Sequence, residues 1–332
     1  MTTLLTRLDD AAVQNEARWA EILDKGYTVT PFLDGPDIQA LLHLHAETHS
    51  VVPYDFYVSA LDPYEKRRRI YEGISAILNP KIERIVPGYR IFLASFVTKR
   101  ANSTHGKLEP HQDYSLVDQS KDICLNVWVP LCDVDLRNGC MRMVDCSQRF
   151  DHISATSMNP SVYSDLIPEL EANYLTDLPM KAGEACIFDA RVLHATGENE
   201  TDKERPAILF SMVPENVQPL LYFWTADEPT RLQVYEAETD FILHLPARRY
   251  PTPEEKVGAR FQRYLDYAPT RWTVSELEER LPRARPKTLP TVSAQQVAGA
   301  AFEPPPADAP PSGSRPSLLS RVTSFFTGGQ GK

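Results

Sequence analysis

His111 and Asp113, in the stretch EPHQDYS (109–115), place an imidazole and a carboxylate two residues apart in a chain with eight histidines. On a β-strand, residues i and i+2 face the same side, so an extended conformation here sends both side chains toward one point. Such a pair suits a divalent metal; it equally suits a hydrogen-bonded structural contact. His194, in CIFDARVLHATGENET, supplies a third candidate just past a strand-like run, in a polar turn. Two histidines and one carboxylate on one face of a metal form the facial triad of non-haem Fe(II) oxygenases, which keeps positions open for a co-substrate and O2. The donors include no thiolate, so they suit iron better than zinc.

Arg205 lies eleven residues beyond His194, at the start of the next strand-like run in TDKERPAILFSMV. A guanidinium grips a carboxylate through two parallel hydrogen bonds, which neither lysine nor histidine can do. An Fe(II) triad with a buried arginine one strand away is what a chelating 2-oxo acid requires. Its keto oxygen and C1 carboxylate would bind iron while its far carboxylate meets the arginine. Other reactive side chains read as structural. The five cysteines, at 124, 132, 140, 146 and 186, form no CxxC pair and sit mostly in apolar runs, as small buried hydrophobes do. His43 and His45 are two apart on an expected helix and diverge there.

Positioning these residues requires a β-rich frame. YRIFLASFVTKR, KLEPHQDYSLV, ICLNVWVPLCDVD, GCMRMVD, EACIFDA and AILFSMVPE are short runs rich in Val, Ile, Phe and Trp, separated by turn signals such as RNG and KAGE. With no helix between each pair, they predict an antiparallel sandwich or jelly-roll barrel rather than a parallel α/β sheet. The segment 1–87 reads as a helical lead-in, with Asp34 capping GPDIQALLHLHAETHS and a second amphipathic pattern in DPYEKRRRIYEGISAILN. The β core is expected over 88–215. A long loop with one helix near PSVYSDLIPELEANY fills 147–182.

Beyond the core, 216–281 reads as a helical extension, with TPEEKVGARFQRYLDY and TVSELEERL each opening on a cap residue and acidic first-turn residues. The expectation is therefore one domain over 1–281. Nine prolines between Pro282 and Pro316 predict a disordered linker over 282–316. The tail, 317–332, aligns Leu318, Leu319, Val322, Phe325 and Phe326 on one helical stripe, a docking face for a partner or a membrane surface.

Bulk properties narrow the function classes. The 332-residue chain is 42% hydrophobic and 24% charged, ordinary for a globular protein with a sizeable core. A net charge of −10 disfavours a nucleic-acid backbone as the main partner. No apolar run approaches the ~18–20 residues of a membrane span, and the N-terminal stretch lacks the apolar core of a signal peptide. The expected location is cytoplasmic.

The segment from about 85 to 215, with its helical lead-in, resembles the phytanoyl-CoA dioxygenase family of Fe(II)/2-oxoglutarate oxygenases. HQD, LNVWVPLCDVDLRNGCMRMV, GEACIFDARVLHATGEN and ERPAI carry the resemblance. It implies a mainly β double-stranded β-helix (jelly-roll, cupin-like) with flanking helices. His111, Asp113 and His194 would then be the iron ligands, and Arg205 would hold the C5 carboxylate of 2-oxoglutarate. Trp128 and Thr196 match positions lining the co-substrate pocket, and Asn126 shares the Trp128 face if the strand is regular. Tyr114, Ser115 and Arg191 are candidates to face a small-molecule substrate. The implied reaction is a hydroxylation that releases succinate and CO2. Family members that install halogen replace the carboxylate ligand with a small residue, so Asp113 favours hydroxylation or a related oxidation.

One motif departs from the family. Where relatives usually read Pro-Gly-Ser-His-Arg, this chain has Asp145, Cys146, Ser147, Gln148 and Arg149. Two other readings remain on the sequence alone: a non-catalytic β-helix binding module, and a metal-binding cupin that is not an oxygenase. Neither has a use for Arg205.

Overall fold

A helix over residues 15–25 (α1) stops at Gly26, whose φ of +99° admits no ordinary side chain. The chain then enters strand β1 (Tyr27–Pro31) directly. The structure, a computed structural model, describes residues 15–49, 54–150, 152–157, 159, 161–245, 259–269 and 271–284. Helix α2 (Gly35–Thr48) opens on a reciprocal capping box in which Asp34 accepts from the Asp37 N–H and the Asp37 carboxylate accepts from the Asp34 N–H. Strand β2 (Phe56–Val58) and helix α3 (Tyr64–Ile85) follow. Next come the core strands β3 (Tyr89–Lys99), β4 (Leu108–His111), β5 (Leu125–Pro130) and β6 (Met141–Val144). Helix α4 (Ile167–Asn173) leads to β7 (Leu175–Leu178), β8 (Glu184–Asp189), β9 (His194–Thr196) and β10 (Arg205–Pro214).

Two antiparallel sheets make the barrel. The larger has the order β1-β8-β5-β10-β3-β2 and the smaller β4-β9-β6-β7. Strands distant in sequence become neighbours in both, which is the topology of a double-stranded β-helix. The larger sheet is buried on both faces at its centre, and all six residues of β5 are buried. That explains why β5 reads as a continuous apolar run instead of an alternating one. Its outward residues Leu125, Val127 and Val129, with Ile187, Ile208 and Phe210, pack under Leu41 of α2 and the Ile70, Ile74, Leu78 and Ile82 stripe of α3. Its inward residues, Trp128, Cys186, Phe188 and Ala207 among them, meet Met141 and Met143 of the smaller sheet.

Two expectations need correction. The lead-in is not wholly helical: β1 and β2 belong to it and occupy the two edges of the larger sheet. Tyr-Thr-Val-Thr after Gly26 is a β-prone run, and β8 offers it an open ladder, Tyr27 lying opposite Phe188. The extension after 215 is mainly a third antiparallel sheet, β11 (Leu220–Phe223), β12 (Arg231–Glu236) and β13 (Arg260–Asp266). Two short helices, α5 (Thr239–His244) and α6 (Val274–Arg280), accompany it. Residues 260–266, expected to be helical, pair with β12, where Phe261 stacks edge-on with Tyr235 at 5.4 Å. The helix expected in TVSELEERL is present, capped reciprocally by Thr273 and Glu276. The chain remains attached past Leu281, the Ala284 N–H donating to the Asn173 carbonyl at 2.8 Å. The Pro-rich linker and the amphipathic tail lie outside the described residues from 285 onward.

Candidate metal centre

β4 and β9 are hydrogen-bonded neighbours, and their register sets His111 opposite His194. The two rings lie 4.3 Å apart, centroid to centroid. His111 Nδ1 is 2.8 Å from the Glu109 carbonyl and His194 Nδ1 is 3.0 Å from the Val192 carbonyl. A carbonyl only accepts, so each Nδ1 carries a proton, and in the neutral ring Nε2 is the acceptor nitrogen. Backbone oxygens thus fix both tautomers for metal binding through Nε2. Asp113 Oδ2 lies 3.6 Å from His194 Nε2. One donor atom from each of the three residues falls within 4.8 Å of the others.

Asp113 arrives by a different route from the one its spacing suggests. β4 ends at His111 after a register shift, so Asp113 is beyond the strand. Its carboxylate is held by Asn126, whose Nδ2 donates to Oδ2 at 2.6 Å from the interior face of β5. Phe188 closes the site behind His194 at 4.9 Å between rings.

Arg205 opens β10 and is 1% exposed. Its guanidinium sits over the Trp128 ring at 5.3 Å, and its Nε and Nη1 atoms have no hydrogen-bond partner. Burial lowers its pKa to about 10, opposed by the neighbouring Cys132 and Cys140, so it is a cation at neutral pH. A buried cation with donors unmatched by protein strongly favours an anion. Thr196, inside the barrel on β9, likewise has a buried hydroxyl without a partner. The fully buried Lys99, opposite Arg205 on β3, was not among the residues singled out from sequence. Its ammonium donates to the Gly106 carbonyl, and burial first, then Arg205, pushes its pKa well down.

The substrate candidates are less well placed. Ser115 is buried at 1% exposure and ties two loops together, its N–H donating to the Ser154 carbonyl and its hydroxyl accepting from the Ser154 N–H. Tyr114 packs on the apolar cluster around Phe92 and Leu116. The Arg191 guanidinium forks onto the Asp189 carboxylate at 2.6 and 3.0 Å. The departing motif serves the scaffold: the Ser147 hydroxyl accepts from Leu193 N–H at 2.8 Å, one residue before His194. The Gln148 amide turns away to the carbonyl of Asp24. Cys146 adopts φ +67°, in the left-handed region. All five cysteines are free thiols; four are buried, and burial raises their pKa, so they are poor nucleophiles.

A jelly roll with two imidazoles and a carboxylate converging inside it, and an arginine buried farther along, has the arrangement that a cupin-type metal site requires. Residues 47–207 match the phytanoyl-CoA dioxygenase (PhyH) family. This segment, just under half of the chain, is similar to that family. A phytanoyl-CoA dioxygenase of Arabidopsis thaliana is 26% identical over 130 residues, 38% of this chain and 46% of that protein. The match therefore spans about half the length of that relative. Among solved structures, the non-haem alpha-ketoglutarate-dependent carbocyclase SnoK from nogalamycin biosynthesis is 18% identical, with a TM-score of 0.49 over 64% of this chain and 87% of that one. The related epimerase SnoN is 19% identical, TM-score 0.46, over 63% and 86% of the two chains. HygX from Streptomyces hygroscopicus, with nickel, 2-oxoglutarate and hygromycin B bound, is 13% identical, TM-score 0.45, over 60% and 87%.

Proposed function

We propose that this protein is an Fe(II)/2-oxoglutarate-dependent dioxygenase that hydroxylates a small molecule and releases succinate and CO2. The observation that carries the reading is the buried guanidinium of Arg205, with two donor atoms unmatched, in the same barrel interior as the triad. The donor set of neutral imidazoles and a carboxylate fits divalent iron. His194 and Thr196 are one pleat repeat apart on β9, about 7 Å, and Asn126 and Trp128 mark the same step on β5. That interval suits a five-carbon dicarboxylate, its chelating end on iron held by His111, Asp113 and His194, and its C5 carboxylate on Arg205. Thr196 would offer its hydroxyl to the same carboxylate, and the Trp128 ring would wall the pocket. When bound, Fe(II) with 2-oxoglutarate and O2 supplies the oxidant that removes hydrogen from the substrate. The protein's part is to hold two Nε2 atoms and a carboxylate in place, to neutralise the far carboxylate, and to exclude water with Phe188, Trp128 and the two methionines of β6.

A metal-binding cupin without oxygenase activity would keep the triad but leave Arg205 unexplained. Five free thiols favour a reducing, cytoplasmic setting, and no helix among the described residues is long and apolar enough to cross a membrane. In this reading the tail around Leu318–Phe326 remains a docking element.

Two results test the reading. Iron-loaded protein under O2 should convert 2-oxoglutarate to succinate, and iron-free protein should not. Under anaerobic conditions Arg205→Met should weaken 2-oxoglutarate binding on the order of a hundredfold, the loss expected when one partner of a buried charge pair is removed, while pyruvate binding changes little. Equal losses for both acids would remove Arg205 from the co-substrate site.

A further inference from the structure

Asn126 is the one polar side chain on β5, where every residue is buried and its neighbours are Leu125, Val127, Trp128 and Val129. It is 2% exposed. Its Nδ2 donates to Asp113 Oδ2 at 2.6 Å, while its own Oδ1 has no donor. The orientation is forced, because an ionised carboxylate only accepts and the amide must turn its NH2 toward it. A buried carbonyl oxygen without a donor is destabilising, and leucine would fill the same space without that penalty. Packing alone therefore does not account for an amide at this position.

Asp113 shows what the amide is for. His111 and His194 lie on paired strands and have their rings fixed by backbone carbonyls. Asp113 follows the end of β4, has no ladder partner, and is a quarter exposed. The side-chain contact that aims its carboxylate toward His194 is the bond from Asn126, a group rooted in the most buried strand of the barrel.

We infer that Asn126 is a positioning residue for the metal centre: its amide sets the rotamer of the Asp113 carboxylate and so determines metal affinity. The inference rests on the iron-site reading above and deepens it. The test is a titration of the full-length apo-protein with Co(II), followed by the visible d–d bands, beside thermal melts without metal. Asn126→Leu should raise the Co(II) dissociation constant ten- to hundredfold, as loss of such outer contacts does, and alter the band shape, with an apo melting temperature no lower than wild type. Asn126→Thr, whose hydroxyl is one bond too short to reach Oδ2, should show the same loss and serves if the leucine variant does not fold. Unchanged Co(II) affinity in a variant whose melting temperature has dropped would overturn the inference and leave Asn126 a packing residue. His111→Ala separates the two ideas. If wild type and His111→Ala bind Co(II) alike, the iron-site reading itself fails; if His111→Ala alone loses binding, only the role of Asn126 does.

Discussion

The buried imidazole of His45 sits on α2 with its Nε2 2.9 Å from the Thr98 hydroxyl and its ring 4.6 Å from that of His49. Burial first, then the charges of His49 and Lys66, lower its pKa to about 4. In the unfolded chain it titrates near the ordinary value of about 6.5. Between those values the unfolded state binds the proton that the folded state refuses, so stability present above pH 6.5 is lost as pH falls toward 4. The difference in pKa sets a ceiling of about 3 kcal/mol. His45→Gln should flatten this acid limb, and melts at pH 7, 6, 5 and 4.5 should show the gap between variant and wild type moving in favour of the variant. A parallel offset at every pH would contradict the assignment. Sequence reasoning separated this histidine from its neighbour correctly: His43 is exposed beside Glu47 and His45 faces the core. Residue types and spacing were also enough to single out His111, Asp113, His194 and Arg205, which the structure gathers inside one barrel. The Asn126–Asp113 bond and the Lys99–Arg205 pair depend on strand register, which a single chain does not spell out.

At the scale of elements, α6 and the residue before its cap brace the metal site from behind. Trp272, Leu277 and Leu281 pack with Phe150, Tyr163, Leu193 and Ala195, and the last two flank His194. Ending the chain after residue 284 keeps all three side chains and serves as the reference truncation. Ending it after residue 270 removes three buried apolar side chains, a loss of several kcal/mol, and should lower the melting temperature by on the order of 10 °C. Equal melting temperatures for the two truncations would show that this strap carries no load. The α6 boundary was legible because a Thr-x-x-Glu capping box is local chemistry. β13 was not, because RFQRYLD satisfies a helical pattern as readily as a strand until β12 lies beside it. β1 was missed for the same reason: five residues become a strand only when β8 provides the ladder.

For the molecule as a whole, the two sheets bury the convergent donors of His111, Asp113 and His194 and, farther along, the guanidinium of Arg205 over Trp128. The long helices stay on the outer face, away from the chemistry. That division explains why an antiparallel sandwich or barrel could be read from strand runs, while the choice of a double-stranded β-helix came from the family resemblance and the third sheet was not read at all. The central claim is that this barrel interior binds Fe(II) and 2-oxoglutarate together. The most direct measurement is an anaerobic titration of the apo-protein with both, watching for the weak visible charge-transfer band of the chelate. The account predicts a band that saturates at one equivalent of iron in the wild type and is absent in His111→Ala. A well-folded wild-type protein that shows no band would contradict it.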